Sequence, residues 1–359
     1  MKKILFAAYS LDYGGVETAL ITLLNYLSKE DYDITLCLER KQGVFLDRLP
    51  ENIKIITYQP ATGKNPVIRK IKNFIRQQKF KRKYKNKFDF SASFATYSFP
   101  CSFVARCASP NSALWVHNDY MNFYNNEIIQ YKKFFNDLGV DKFKKIVFVS
   151  DLDRRVFNAE FPQYSKKATT CHNLINYKEI LEKADEKIDD FKKKDITTFI
   201  NIGRHDEKQK RLSRIINATK RLNKEGYKFR VIFIGKGTDT QRYLSMSKNL
   251  KNIEFLGAKR NPYPYLKQSD ALLLSSQFEG YPVVYVESYV LNKPIITTDV
   301  SDAKKDIEGR YGLVCDNSEK GVYEGMKEFL DKGFKPLEFD PEEFNKDIID
   351  NVNKIINDK

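Results

Sequence analysis

Two carboxylates eight positions apart, Glu279 and Glu287, lie in the run Phe278-Glu279-Gly280-Tyr281-Pro282-Val283-Val284-Tyr285-Val286-Glu287, directly after the apolar stretch Ala271-Leu272-Leu273-Leu274-Ser275-Ser276. Carboxylates accept hydrogen bonds from hydroxyls or move protons. A short apolar strand followed by a Gly/Pro turn and a helix is where open α/β sheets bind ligands, because the turn lies at the strand's carboxyl end. Both acids are therefore expected at one cleft, Glu279 in the loop and Glu287 about a turn and a half into a helix that takes Pro282 in its first turn. One acid could grip the near end of a ligand and the other its far end.

A second constellation is Gly203-Arg204-His205-Asp206-Glu207-Lys208-Gln209-Lys210-Arg211-Leu212, which follows the apolar run Phe199 to Ile202. An Arg fork and Lys point charges at the mouth of a strand suit a diphosphate. The competing reading is a solvated basic helix start. The run Phe233-Ile234-Gly235-Lys236-Gly237-Thr238 is a turn where backbone could approach a ligand, although a lone Gly-x-Gly is a weak signal. Near the amino terminus Gly14-Gly15 follows the first apolar run and opens a helix, a place that favours an anion, without matching the dinucleotide fingerprint. The three histidines, His117, His172 and His205, each fall at or just beyond a strand end. They lack zinc-like spacing, so no metal is expected. Asp151-Leu152-Asp153 has the form of an Asp-x-Asp metal motif, but after Ser150 at a helix start the acids read as cap and dipole partners.

The elements that must position these groups alternate. Strand-like runs at Lys3 to Tyr9, Tyr32 to Leu38, Ile53 to Tyr58, Phe88 to Phe94, Ala113 to His117, Lys145 to Val149 and Ala168 to His172 are separated by segments of helical periodicity. After a charged, poorly apolar joint from Tyr177 to Asp195 the series restarts at Ile196. Two β-α-β series predict two parallel sheets. Residues 1–175 and 176–340 are expected as two Rossmann-like domains, with 341–359 a helix that packs back on the first. A chain of 359 residues, 42% hydrophobic and 13% aromatic, can fill two cores. Five scattered cysteines imply reduced, buried thiols in a cytosolic protein. The Met1 to Tyr9 run is too short for a signal peptide, and no stretch approaches a membrane span, so any membrane contact must be peripheral.

The net charge of +15 points to an acidic partner. From Asn52 to Phe88 there is no Asp or Glu, while Arg69, Lys70, Lys72, Arg76 and Lys79 surround the helically spaced Val67, Ile68, Ile71, Phe74 and Ile75. A basic helix with an apolar stripe can lie on an anionic membrane; the other reading is a surface helix whose stripe packs on the sheet. Tyr120, Phe123, Tyr124, Tyr131, Phe134 and Phe135 form an aromatic stretch that is either core or acceptor groove.

Taken together, Gly203-Arg204 with Lys210 and Leu212, Gly235-x-Gly237, Phe255-Leu256-Gly257, Asn261-Pro262-Tyr263, Phe278 to Pro282 and Lys293 to Thr298 resemble, in their order, the retaining glycosyltransferases of the GT-B fold whose mark is Glu-x7-Glu, the family 4-like group 1 enzymes. The resemblance covers most of residues 196 to 300. It implies an α/β protein with two Rossmann-like domains whose parallel sheets face across a cleft, and a nucleotide-sugar donor, by the family's habit a UDP-sugar. By the same resemblance Arg204 and Lys210 would bind the diphosphate, Glu287 the ribose hydroxyls, and Glu279 the transferred sugar. Backbone amides of Gly280, Tyr281, Pro282, Val283 and Val284 would line the donor, with Gly203, Gly235 and Gly237 nearby. His117 would reach the sugar and Gly15 would let the first domain close over the phosphates.

Two departures stand out. The Arg204 to Leu212 loop is one residue longer than common, so Lys208 competes with Lys210, and Asp299 to Lys304 replaces a glycine-rich turn. The implied activity is a retaining, metal-independent hexosyl transfer to a lipid-linked or cell-surface glycan in capsule, exopolysaccharide, teichoic acid or glycolipid synthesis, in the cytoplasm and peripherally on the inner face of the plasma membrane. No cofactor and no nucleic-acid partner are expected. A nucleotide-sugar epimerase of related fold and a basic nucleic-acid-binding protein are the alternatives; the latter would leave Glu279 and Glu287 unexplained.

Overall fold

The computed structural model describes residues 1–12 and 14–358. The chain divides into two units: Met1–Leu174 together with the C-terminal residues from Asn345, and Ile175–Phe344. All strand pairings in both are parallel.

The first unit holds β1 (Lys2–Ala8), α1 (Gly15–Leu27), β2 (Tyr32–Leu38), β3 (Lys54–Thr57), α2 (Pro66–Tyr84), β4 (Phe90–Ser93), α3 (Phe99–Ala108), β5 (Ser112–Val116), α4 (Tyr120–Phe123), α5 (Ile128–Leu138), β6 (Lys145–Phe148), α6 (Asp151–Glu160) and β7 (Ala168–Thr170). Its sheet runs β3-β2-β1-β4-β5-β6-β7. Central strands such as Phe90–Ser93 and Ser112–Val116 are buried throughout, which is why they read as unbroken runs rather than as alternations. Several strands are shorter than expected: Ile53, Tyr58, Phe88, Phe94, Cys171 and His172 stand outside the ladders.

The second unit holds α7 (Tyr177–Lys183), β8 (Thr197–Ile202), α8 (Leu212–Lys224), β9 (Phe229–Ile234), α9 (Thr240–Ser247), β10 (Ile253–Gly257), α10 (Tyr263–Gln268), β11 (Ala271–Leu274), α11 (Val283–Val290), β12 (Ile295–Thr298), α12 (Ala303–Asp306), β13 (Gly312–Cys315) and α13 (Glu319–Lys332), in sheet order β10-β9-β8-β11-β12-β13. Leu212, Ile215, Ile216, Thr219 and Leu222 recur at helical spacing and bury one side of α8 against this unit's core. Finally, α14 (Pro341–Asn357) buries Ile348, Val352, Ile355 and Ile356, and Lys145 Nζ donates to its last carbonyls at Ile355 (2.8 Å) and Lys354 (3.2 Å).

The charged run from Tyr177 to Asp195 is not a bare joint. It contains α7, capped by Asn176, and packs within the second unit. Asn261 Nδ2 donates to Lys183 O and Glu186 Oε2, both at 2.8 Å, Tyr265 OH donates to Asp190 at 2.6 Å, and Lys259 and Lys267 pair with Asp190 and Asp185. Its charges found partners some seventy to eighty residues away, which a local reading of composition does not show.

Candidate functional site

In the second sheet the chain leaves β8 toward β9 on one side and returns at β11 on the other, so the strand order reverses between β8 and β11. Loops leaving two adjacent strands in opposite directions open a crevice at their carboxyl ends. The loop after β8 carries Arg204 to Arg211 and the loop after β11 carries Ser275 to Pro282. They are joined by their backbones: Gln277 N–H donates to Gln209 O (2.7 Å), and the Ser275 hydroxyl lies 2.9 Å from Lys210 O and 3.0 Å from Arg211 O. Arg211 sits in the left-handed region (φ 50°), a conformation a non-glycine residue keeps only where its surroundings fix it.

Glu279 is held inside this join. Lys210 Nζ donates to Oε1 at 2.5 Å, the Ser276 hydroxyl donates to the same oxygen at 2.6 Å, and Gln209 Nε2 donates to Oε2 at 3.2 Å. The carboxylate is only 6% exposed, so losing its cation would leave a nearly buried charge. Gln209 also accepts from Arg204 Nη2 through Oε1 (2.9 Å), so one amide links the exposed Arg204 guanidinium to Glu279. Of the two competing lysines, the structure brings Lys210 onto Glu279 and leaves Lys208 on the exposed side of the turn. That turn is built by Asp206, whose side chain accepts from the Lys208 and Gln209 amides.

Glu287 has different company. It lies in α11, accepts from the Tyr263 hydroxyl at 3.2 Å, and burial pushes its carboxyl up to about 7. Pro282 stands one residue earlier than expected in role: its ψ of 122° is extended, so it caps α11 instead of lying in the first turn, and Val283 is the first helical residue. Gly280, Tyr281 and Val284 are buried, and burial raises the Tyr281 phenol well above its ordinary range. Ser301, in the loop after β12, donates its hydroxyl to Gly280 O, so the Asp299 to Lys304 segment that replaces a glycine-rich turn is folded against the β11 loop.

Packing requires glycine at Gly235 and Gly237. A Cβ on Gly235 would stand 1.8 Å from Gly203 O, and one on Gly237 2.2 Å from His205 O. Their lack of a side chain lets the β9 loop lie on the β8 loop. Gly203 is different, since a Cβ there would meet only the Lys210 side chain at 3.7 Å. His205 is 1% exposed, bonds Thr240 Oγ1 through Nδ1 (3.0 Å) and packs edge-on to Tyr243 and Phe255, so it is a core group.

In the first unit, His117 follows β5 with its ring 4.3 Å from that of Phe94, and burial pushes its imidazole down to about 3. It is therefore a neutral hydrogen-bonding group at physiological pH. His172 Nδ1 bonds Val149 O at 2.8 Å. Gly15 opens α1 and is exposed. Tyr120, Tyr131, Phe134 and Phe135 are buried in one cluster with Phe157 and Phe161, so the aromatic stretch is core. Ser150 caps α6 by accepting from Asp153 N, and Asp151 pairs with Arg154 at 2.7 Å. Among the described residues no group of three or more His, Cys, Asp or Glu is placed to hold a metal ion.

Residues 196–332, which span the Glu279 join and Glu287, match the family model of glycosyl transferases group 1. The matched stretch takes in most of the second unit. The chain as a whole has the GT-B fold: it is similar to HepE of Anabaena, solved in complex with UDP, with a TM-score of 0.73 at 14% identity over 99% of this chain and 100% of that one. It is 24% identical over 351 residues to the N-acetylgalactosamine-N,N'-diacetylbacillosaminyl-diphospho-undecaprenol 4-alpha-N-acetylgalactosaminyltransferase of Campylobacter jejuni, covering 92% of this chain and 91% of that protein. A glycosyltransferase of Methanocaldococcus jannaschii described as uncharacterized is 27% identical over 54% of this chain, and the match spans about half (49%) of its length.

Several residues that shape the join carry no sequence signal of their own. Gln209 and Ser276 look like ordinary loop polars, yet they supply two of the three side-chain bonds to Glu279. Arg214 reads as one cation of α8, but its guanidinium donates to Ser275 O (3.1 Å), Asn317 Oδ1 (2.7 Å) and Gln277 Oε1 (2.7 Å), fixing the β11 loop from behind. The 69-residue separation of Lys210 and Glu279 hides their pairing until the sheet brings β8 beside β11.

Proposed function

We propose that this chain transfers a hexosyl group, with retention, from a UDP-sugar to a lipid-linked or cell-surface glycan in polysaccharide or glycolipid synthesis. The observation that carries this reading is the fixed Glu279, held by Lys210, Ser276 and Gln209 at the sheet's switch point with Arg204 tied to the same amide. UDP as the leaving nucleotide is suggested by the nucleotide bound to HepE, and the lipid-linked acceptor by the Campylobacter relative.

Cleaving a sugar–phosphate bond develops negative charge on the leaving diphosphate and positive charge on the ring. Cations fixed before reaction stabilise the first without having to reorganise. Arg204, with 64% of its side chain exposed and its fork steadied by Gln209, is the group assigned to the phosphates, joined by Lys210. Glu279 accepts from sugar hydroxyls and Glu287 from the ribose. The acceptor attacks from the face the diphosphate leaves, and a departing phosphate oxygen takes the acceptor's proton, so no carboxylate serves as nucleophile. The two acids have separate partners, Lys210 for one and Tyr263 for the other, as a clamp on two ends of a donor requires. In the first unit, His117 stays in the reading as a neutral group for the sugar.

The test is a panel of nucleotide-sugars scored by released nucleoside diphosphate, with and without lipid-linked acceptors, beside melting curves with each nucleoside diphosphate. At a ligand concentration of about 100 times Kd the stabilisation is about 2.7 kcal/mol. Arg204→Ala should lower turnover and Glu287→Ala should weaken donor use. Absence of release from every donor, together with melting curves that no nucleotide moves, overturns the reading.

A further inference from the structure

The β11 loop and the start of α11 are gripped from the β12 side. Thr297 Oγ1 lies 2.7 Å from the Tyr285 hydroxyl, Thr298 Oγ1 donates to Ser276 O at 2.7 Å, Ser301 Oγ donates to Gly280 O, and the Tyr281 phenol bonds Asp306 in α12. Ser301 stands apart in its backbone. Its φ of 54° lies in the left-handed region, which a Cβ disfavours and glycine adopts freely. The Asp299 to Lys304 segment stands where a glycine-rich turn is common, so a serine holds a conformation suited to glycine and brings a hydroxyl to it. The turn is closed around that serine: the Asp299 N–H donates to Cys315 O (2.8 Å), the Ala303 N–H to Val300 O (3.1 Å), and Lys304 Nζ pairs with Asp299 (2.7 Å). Ser301 itself is 7% exposed. Strain kept in place by its surroundings points to a use for the side chain that carries it.

That use is to fix one peptide plane. No peptide bond among the described residues is cis, so the C=O and N–H of the Gly280–Tyr281 peptide point in opposite directions. Gly280 O faces Ser301, and the Tyr281 N–H is therefore aimed away from the β12 loop. In the sheet β11 lies between β12 and β8, so the far side is that of the β8 loop, with Arg204, Gln209 and Lys210, toward which Glu279 also turns. A hydrogen bond accepted at the carbonyl polarises the peptide and strengthens its N–H as a donor. We propose that Ser301 is a positioning residue for the nucleotide-sugar: it holds the Gly280–Tyr281 peptide with the N–H toward the transferred sugar, beside the Glu279 carboxylate, so that the sugar's hydroxyls meet an N–H and a carboxylate together. Without the Ser301 hydroxyl the plane can turn, and a carbonyl in place of the N–H would repel a sugar oxygen. The inference rests on the donor reading and deepens it.

The test compares Ser301→Gly and Ser301→Ala in the full chain. Ser301→Gly loses the hydroxyl but relieves the left-handed strain, so its Tm should stay within about 2 °C of the native value. Ser301→Ala loses the hydroxyl and keeps the strain, so its Tm should fall by about 2–4 °C. Turnover of the UDP-sugar used fastest in the panel, scored by released UDP, should fall about tenfold or more in both variants. UDP, which lacks the sugar, should raise the Tm of all three proteins equally. Turnover thus follows the hydroxyl, and stability follows the strain. Native turnover in Ser301→Gly overturns the proposal, whether or not Ser301→Ala loses activity in step with its Tm, because the hydroxyl is then a structural contact only. A UDP-induced shift that shrinks in both variants also overturns it, since the effect then lies on the nucleotide and not on the sugar. If no nucleoside diphosphate moves the native melting curve, the donor reading falls and takes this inference with it, an outcome distinct from the others because it appears in the native protein.

Discussion

Replacing Glu287 by Gln is expected to stabilise the second unit at neutral pH and to leave it unchanged in acid. Glu287 is 8% exposed and its carboxyl is raised by burial from 4.5 to about 7, with the Tyr263 hydroxyl bond opposing the shift only in part. Below pH 4.5 the group is protonated both folded and unfolded, and it costs nothing. Between 4.5 and about 7 the unfolded chain has lost the proton that the folded chain keeps, so stability falls as pH rises. Above about 7 both forms are ionised and the full cost remains, about 3 kcal/mol at about 1.4 kcal/mol per pH unit. Gln fills the same space, accepts from Tyr263 and does not titrate. The stability difference between Glu287→Gln and the native chain should therefore grow by about 3 kcal/mol across that window and then level off. For a domain of this size that is roughly 6–12 °C in Tm.

Denaturant unfolding of both proteins at a series of pH values reads the difference directly, because groups common to both cancel. A difference that does not change with pH would mean that Glu287 ionises in the folded protein at its ordinary value, and the burial argument would fail. The same shift has a consequence for binding. On the proposed donor reading, ribose hydroxyls would donate to the ionised carboxylate, so UDP binding below pH 7 should release a proton and weaken about tenfold per pH unit as the medium is acidified. Calorimetry in buffers of different ionisation enthalpy shows the proton release, and Glu287→Gln should abolish it.

The Glu279 join yields three further expectations. Lys210→Met removes the cation from a carboxylate that Ser276 and Gln209 still hold, so it should destabilise by about 2–3 kcal/mol, and adding Glu279→Gln should recover most of that in a double-mutant cycle by urea unfolding. Gln209→Leu cuts the bridge between Arg204 and Glu279 while keeping the backbone bond from Gln277; donor turnover should fall about 10- to 100-fold with KM nearly unchanged, as measured by nucleoside diphosphate release. Gly235→Ala drives a methyl into Gly203 O at a φ of 141°, and should cost about 3 kcal/mol or more in chemical denaturation, whereas Gly203→Ala should be mild.

Much of this architecture was legible because its causes are local. Strands buried on both faces must be apolar throughout, as Ala271–Leu274 and Ile295–Thr298 are, and helices buried along one side must repeat at 3.6, as Leu212, Ile215, Ile216 and Leu222 do. Glu279, Lys210 and Arg204 were each visible as chemistry at the end of a strand. What local pattern could not carry was partnership. Gly235 and Gly237 were plain as a turn, but the backbone that packs against them is that of Gly203 and His205, more than thirty residues earlier. The charges of Tyr177 to Asp195 read only as a charged joint because Lys259, Asn261 and Lys267, their partners, come later in the chain. The α2 stripe was plain as a period, yet whether it faced sheet or solvent depended on Asn73, Arg76 and Phe80 making the attachment on the other side.

The position of the join also explains why its chemistry falls where it does. Two loops leaving adjacent parallel strands in opposite directions expose carbonyls and amides that no strand can pair. Here several of those groups are paired: Gln277 N donates to Gln209 O and the Ser275 hydroxyl to Lys210 O and Arg211 O between the two loops, while Thr298 at the end of β12 and Ser301 in the loop after it donate to Ser276 O and Gly280 O. None of these bonds uses the Arg204 side chain, which stays exposed, and the Glu279 carboxylate is engaged by the side chains of Lys210, Ser276 and Gln209. In the proposed transfer a donor phosphate would share Lys210 while Ser276 and Gln209 keep Glu279 in place, so the acid need not move. A site whose acid is held three ways and whose arginine is steadied by the same amide is set before its ligand arrives, and little of the binding energy goes into arranging it.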